Sequence, residues 1–274
     1  MSRRIFSTGF TALVTGLSKN YSLIRNLTKR DVVGRYRGSI IGLSWSILNP
    51  LLMLAVYTFV FGFVFKVRSG TNSGSNIDFA LSLFAGLIVH AMFAECINRA
   101  PTTIIANTQY VKKVVFPLEV LSWVTVATAL FHLLISVAVL MTFQMLVNGY
   151  VNWTALYLPI VIFPYLVMLL GFIWFLMSIG VYLRDVVQIV GVLTTVLLFL
   201  SPIFYPVSAL PEVLQKYIYL NPLTVIIEQV RIVVLNGGMP NWSQLGSYSI
   251  ASIIICWLGY VFFQKTRRGF ADVL

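Results

Sequence analysis

Charge is what this 274-residue chain has least of: only 10% of its residues are Asp, Glu, Lys or Arg, and just eight are acidic. It has two cysteines and two histidines. Cys96 and Cys256 lie in apolar runs with no CxxC or Cys/His ligand spacing, so buried thiols are expected rather than a disulfide framework or a zinc site. His90 and His132 stand forty-two positions apart, and no GxSxG, HExxH or DxD arrangement occurs. No catalytic constellation is in view. A GxxxxGK[ST] phosphate loop is also missing, so the chain does not bind and hydrolyse a nucleotide in the usual way.

Apolar surface is what it has instead. With 59% hydrophobic and 14% aromatic residues and a mean hydropathy of +0.90, it exceeds what a soluble core absorbs. A bilayer core about 30 Å thick needs roughly 20 apolar residues per helical span. Six runs qualify: Ser44 to Phe65, Phe79 to Asn98, Leu118 to Val147, Ala155 to Val181, Val186 to Tyr205 and Ser247 to Phe263. Stretches such as LLMLAVYTFVFGFVF do not alternate as barrel strands do, so the expected class is an all-α integral membrane protein of six transmembrane helices.

The net charge of +11 reports orientation. Fifteen of the 19 Lys and Arg residues fall on the side of the amino terminus, leaving Lys66, Arg68, Lys216 and Arg231 on the other. This bias places both termini in the cytoplasm, and it implies anionic lipid or an acidic partner rather than nucleic acid. MSRRIFSTGFTALVTGL opens with Arg3 and Arg4, but its run is diluted by Thr and Gly and no A-x-A site follows, so a cleaved signal peptide is not expected.

Three regions frame the spans: residues 1–43, the membrane domain 44–263 and the tail 264–274. Within the first, Lys19 to Val33 reads as a basic amphipathic helix lying in the headgroup layer, with Tyr21, Leu23, Ile24, Leu27 and Val32 on one half. Asn20, Thr28 and Asp31 intrude on that half. RYRGSIIGLSWSILNP, Arg35 to Pro50, then turns the chain from water into lipid. In the second span Glu95 stands four residues before Arg99, the spacing of a helical ion pair. The loop 99–117 should hold a short helix opened by Pro101, either a plain connector or a docking handle built on Asn107, Gln109, Tyr110, Lys112 and Lys113. Pro159 and Pro164 should kink the fourth span.

The segment 206–246 carries two apolar pieces of about 12 to 14 residues, too short to span, separated by Asn221 and Pro222. That pattern predicts short re-entrant or interfacial helices between spans five and six, forming a lid or a structural cap. Tyr217, Tyr219, Glu228 and Arg231 complete this candidate gate.

RDVVGRYRGSIIGLSWSILNP, ANTQYVKKVVFPLEVL and SPIFYPVSALPEVLQKYIYLNPLTVIIEQVR, in that order, resemble the permease subunit of bacterial polysaccharide ABC exporters, the family exporting O-antigen, capsule and teichoic acid chains. The resemblance starts at about residue 20. It implies a homodimer enclosing a channel in the bacterial inner membrane, with two copies of a cytoplasmic ATP-binding subunit that alone hold ATP and Mg. It also implies a coupling helix around Asn107 to Val115, periplasmic gate helices within Leu210 to Leu235, and a glycan on a polyprenyl diphosphate as substrate. O-antigen is the favoured cargo. Teichoic acid, capsule or another lipid-like cargo is the alternative, and a membrane glycosyl or acyl transferase is the more distant rival.

Aromatic rings accept sugar C–H faces without tight binding, which makes Trp45, Tyr57, Phe59, Phe172 and Trp174 candidates for the path, with Phe61, Phe63, Phe65 and Phe175 beside them. Tyr57 and Trp174 are favoured for their polar handles. Lys29, Arg30, Arg35 and Arg37 suit a diphosphate headgroup, or simply anchor the chain to anionic lipid.

Overall fold

The computed structural model describes residues 16–60, 76–112 and 116–274. Phe61, Phe63, Phe65, Lys66, Arg68 and Lys113, and the start of the chain with Arg3 and Arg4, lie outside the described residues. Among the described residues the regular structure is entirely helical.

Helix α1 (Tyr21–Arg35) is the expected amphipathic element. Its Ile24 packs with Val120 and Val124, and Leu23 and Leu27 join them. Two of the three polar intruders, Asn20 and Asp31, have partners, while the buried Thr28 hydroxyl has no hydrogen-bond partner. The Asn20 amide donates to the Gly16 carbonyl at 2.8 Å, and Asp31 receives both arms of the Arg99 guanidinium and the Thr128 hydroxyl. Arg99 therefore pairs across to α1, not along its own helix to Glu95. After α1 the chain reverses through Gly38 (φ +92°) and Gly42 (φ +57°), left-handed positions that side chains disfavour. The Trp45 indole donates to Ser39 Oγ at 2.9 Å and pins this turn.

α2 (Trp45–Tyr57) is the described part of the first span, and little of it is buried inside the protomer. Ile47, Leu51, Leu52, Val56 and Phe59 are exposed. α3 (Asn76–Thr103) is central, packing on three later spans. It runs through Pro101 instead of ending before it, and the Thr102 and Thr103 hydroxyls take up the Arg99 carbonyl near its end. The short helix therefore begins later than expected, as α4 (Thr108–Lys112).

α5 (Val120–Asn148) and α6 (Leu158–Tyr182) are long spans. Pro159 occupies the first turn of α6, where a missing N–H costs nothing, and the helix continues through Pro164. α7 (Val186–Leu200) stops five residues short of the expected Tyr205, because Ser201–Pro202 ends it. His90 Nε2 meets the Thr194 carbonyl at 3.0 Å and Thr194 Oγ1 donates to Asn98 at 3.1 Å, which ties α7 to α3.

α8 (Glu212–Tyr217) and α9 (Thr224–Val230) follow, and α9 continues as a π-helical turn at Arg231–Leu235. The legs Glu212–Leu220 and Thr224–Leu235 bend by 97°, the geometry of a broken span or of a re-entrant loop. α10 (Trp242–Thr266) is the last span and α11 (Phe270–Val273) closes the chain. Five helices are long and apolar enough to cross a membrane, six if the bent pair counts as one.

Glycines set the tightest packing. A Cβ on Gly171 would lie 2.5 Å from the Ile255 carbonyl oxygen, and one on Gly259 would lie 2.1 Å from that of Gly171. Only bare backbones let α6 and α10 approach this closely, the small-residue solution of membrane helix packing. Gly180 does the same on the other side of α6, where a Cβ would meet the Pro101 carbonyl at 2.1 Å.

Candidate functional site

Because α2 stands off from the bundle, a cleft of about 400 Å³ opens between it and α3, α5 and α7. Met53, Tyr57, Phe84, Leu87 and Leu198 give it apolar walls. Its floor is charged. Arg35 Nη2 donates to Glu95 at 2.6 Å, and His132 Nδ1 lies 3.0 Å from the same carboxylate. Tyr36 Oη sits 3.3 Å from His132 Nε2. An ionised Glu95 only accepts, so Nδ1 carries the hydrogen toward it and Nε2 of a neutral ring accepts from Tyr36. Four side chains from α1, its following turn, α3 and α5 are thus joined.

This floor sorts the basic cluster. Arg35 is held by Glu95, while Arg30 donates to the Tyr110 hydroxyl at 3.0 Å and so links α1 to α4. Lys29 and Arg37 are exposed, and Arg30 and Arg37 flank a second groove of about 330 Å³ over Gly34 and Gly42. Asp31 lies where α1 meets α3 and α5. Burial works to raise its pKa, but the Arg99 guanidinium and the Thr128 hydroxyl outweigh it and hold the carboxyl below its ordinary range.

At the same end, Tyr110 stacks on Phe116 with ring centroids 4.2 Å apart. Arg267 bonds Glu119 at 2.6 Å and the Phe116 carbonyl at 3.1 Å, so the carboxyl-terminal tail braces the loop behind α4. Asn107 turns its amide back to the Thr103 carbonyl at 2.9 Å, Gln109 is exposed, and Lys112 closes α4.

The opposite end is held by side chains on backbone. Arg231 donates to the carbonyls of Ser82 (2.9 Å), Pro202 (2.6 Å) and Ile203 (2.8 Å). Thr154 takes the Val233 carbonyl at 2.7 Å, Gln144 that of Val234 at 3.1 Å, and Asn152 that of Leu235 at 2.8 Å. These caps satisfy the end of a helix that stops inside the protein. Asn221 bridges Ser201 and the Leu223 amide, the Pro222 carbonyl accepts from Tyr248, and Tyr219 donates to Glu228. The two legs therefore differ. Thr224–Leu235 is buried and locked, whereas Val213, Leu214, Tyr217 and Leu220 of the first leg are exposed.

The path aromatics scatter. Tyr57 lines the cleft, Phe59 faces outward, Trp45 pins the turn and Phe172 packs against the core. Trp174 offers a moving chain no surface. It is 0% exposed, edge-on to Trp123 and Tyr260. Its polar handle, read from the sequence as a contact for cargo, is a buried indole N–H without a hydrogen-bond partner. The Arg35–Glu95–His132–Tyr36 network escaped sequence reasoning, since the local Glu95–Arg99 spacing pointed elsewhere. The available signal was three isolated ionisable residues at similar membrane depth, which have to pair.

Relatives match this chain in sequence along nearly its full length. The O-antigen export system permease protein RfbA of Myxococcus xanthus is 27% identical over 263 residues, covering 95% of this chain and 98% of its own. RfbA of Klebsiella pneumoniae is 27% identical over 255 residues (93% and 95%), and the polysialic acid transport protein KpsM of Escherichia coli is 24% identical over 253 (90% and 94%). The sequence profile of the ABC-2 type transporter family matches residues 22–235, from α1 through the locked re-entrant leg, and on that match the chain belongs to the ABC-2 type transporter membrane family.

Proposed function

We propose that this chain is the membrane permease of an exporter that carries a lipid-linked polysaccharide, most simply an O-antigen chain, out of the bacterial cytoplasm. The observation that carries the reading is the nearly end-to-end match to permeases named for O-antigen export and polysialic acid transport. The sequence has no phosphate loop, so ATP is bound and hydrolysed by a separate subunit, two copies of which serve two copies of this chain. The α4 region, braced by Arg30, Tyr110 and Arg267, is where that subunit would push. The bias of positive charge supports a cytoplasmic placement of this end and of both termini.

In this reading the exposed faces of α2 and α7 meet lipid or the second copy. The lipid carrier reaches the cleft at Arg35, where the headgroup diphosphate competes with Glu95 for the guanidinium. A strain lacking the chain should lose surface polysaccharide and accumulate the lipid-linked form inside, and the wild-type gene should reverse both. Intact surface polysaccharide in the deleted strain would overturn the proposal.

A further inference from the structure

Arg35 and His132 meet at one carboxylate. Arg35 Nη2 donates to one oxygen of Glu95 at 2.6 Å, and His132 Nδ1 lies 3.0 Å from the other oxygen. Arg35 Nη1 stands only 3.4 Å from that same Nδ1. An imidazolium here would face the guanidinium at contact distance, a like-charge pair that a single carboxylate does not neutralise. Glu95 therefore holds one full cation at a time, and in this structure it is Arg35.

The surroundings of the ring leave that choice to these groups. Tyr36 approaches the far nitrogen, with its hydroxyl 3.3 Å from Nε2. From α3 the cleft also receives His90, whose Nε2 donates to the Thr194 carbonyl at 3.0 Å, while α2 brings Tyr57 and α7 brings the apolar Leu198. One turn back along α5, at Thr128, Asp31 and Arg99 neutralise each other.

We infer that the cleft floor binds a lipid-linked diphosphate by exchanging Arg35 for a proton: the headgroup draws the guanidinium off Glu95, and His132 takes up a proton from water in its place. The inference rests on the permease reading and gives His132 a part in it. Nδ1 already carries the hydrogen that faces Glu95, so the incoming proton goes to Nε2 and the imidazolium pairs with the carboxylate. Nε2 then donates to Tyr36 instead of accepting from it. The phenolic hydrogen is released into the cleft, where a phosphate oxygen accepts it. The occupied site holds one proton more than the empty one, so affinity rises as pH falls. An ordinary phospholipid offers the same phosphate chemistry with a smaller charge, and so draws Arg35 less.

The test is titration calorimetry on the full-length chain in neutral detergent. The probe is farnesyl-diphosphate-linked N-acetylglucosamine, a diester whose charge is constant between about pH 6 and 8. Titrations in buffers of different ionisation enthalpy should show uptake of about one proton per probe bound, with affinity about tenfold higher at pH 6 than at pH 8. Phosphatidylglycerol should give little uptake. His132→Asn, whose amide can still donate to Glu95 but does not titrate, should abolish the pH dependence, whereas His90→Asn should keep it. Glu95→Gln should bind the probe severalfold more tightly than the wild type at pH 8, because Arg35 is released, and a misfolded variant gives no such gain. Absence of probe binding, binding without proton uptake, equal uptake with phosphatidylglycerol, a pH slope that survives His132→Asn, or no gain in Glu95→Gln would each overturn the inference. The deletion strain separates the two proposals. If export depends on the gene while calorimetry gives any of these results, the proton exchange fails and the permease stands; if surface polysaccharide persists without the gene, the permease reading itself fails.

Discussion

At the residue scale, the central feature is the meeting of Arg35, Glu95 and His132. Each is costly alone at membrane depth, and together they neutralise one another across three elements. Removing Glu95 leaves Arg35 beside a cleft without its counter-charge. The fully buried case costs about 3–5 kcal/mol, and Arg35's side chain is 37% exposed, so Glu95→Ala should lower stability by about 2 kcal/mol. Glu95→Gln should cost less. Thermal unfolding in detergent measures both. Asp31 gives a pH prediction with a definite sign. Its folded carboxyl lies below the ordinary value of 3.8, so its contribution is complete above that value and is lost as pH falls through the lower folded one. Hydrogen exchange of Tyr21–Arg35 should be unchanged between pH 7 and 5 and should rise only below about 3.8. In Asp31→Asn that acid-linked step should vanish. Sequence showed these residues as intruders on an apolar stripe. It could not show that partners 68 and 97 positions away explain them.

At the element scale, spans two, three, four and six were legible because each is a long apolar run, and hydropathy alone sets that. The re-entrant pair was legible too, from pieces too short to cross. Span five and the start of α4 were misjudged for local reasons. Ser201–Pro202 ends α7 early, and α3 runs on through Pro101. The glycine contacts were illegible, since which face a glycine presents depends on the partner helix. Gly171→Val should cost about 3 kcal/mol or more by forcing α6 from α10, whereas Gly246→Ala, with open space at its Cβ, should be nearly silent. Yield of monodisperse protein and its melting temperature distinguish the two. The caps on the locked leg make a further prediction. Thr154→Val removes the bond to the Val233 carbonyl and should cost about 1–3 kcal/mol, speeding exchange in Arg231–Leu235 before the spans respond.

At the scale of the whole molecule, the described helices divide into a packed core and an open periphery. α3, α5 and α6 supply most of the buried core, while α2 and α7 keep broad apolar faces uncovered. Polar networks hold each end: ion pairs to α1 at the basic end, backbone caps at the other. The cleft at Tyr57 and a basin at Glu228 are two separate cavities. The sequence motifs pointed to a polysaccharide permease, and the family match agrees, but the path residues could not be picked by ring chemistry alone. Trp174 and Tyr57 look alike in sequence, and packing separates them.

The most direct measurement is transport itself: proteoliposomes holding this chain and its ATP-binding partner, loaded with polyprenyl-diphosphate-linked polysaccharide, and assayed for glycan newly reachable by a membrane-impermeant lectin. The account predicts ATP-dependent exposure that requires both subunits and falls when Arg35→Glu is introduced. Exposure without ATP, or none with both subunits present, would contradict it.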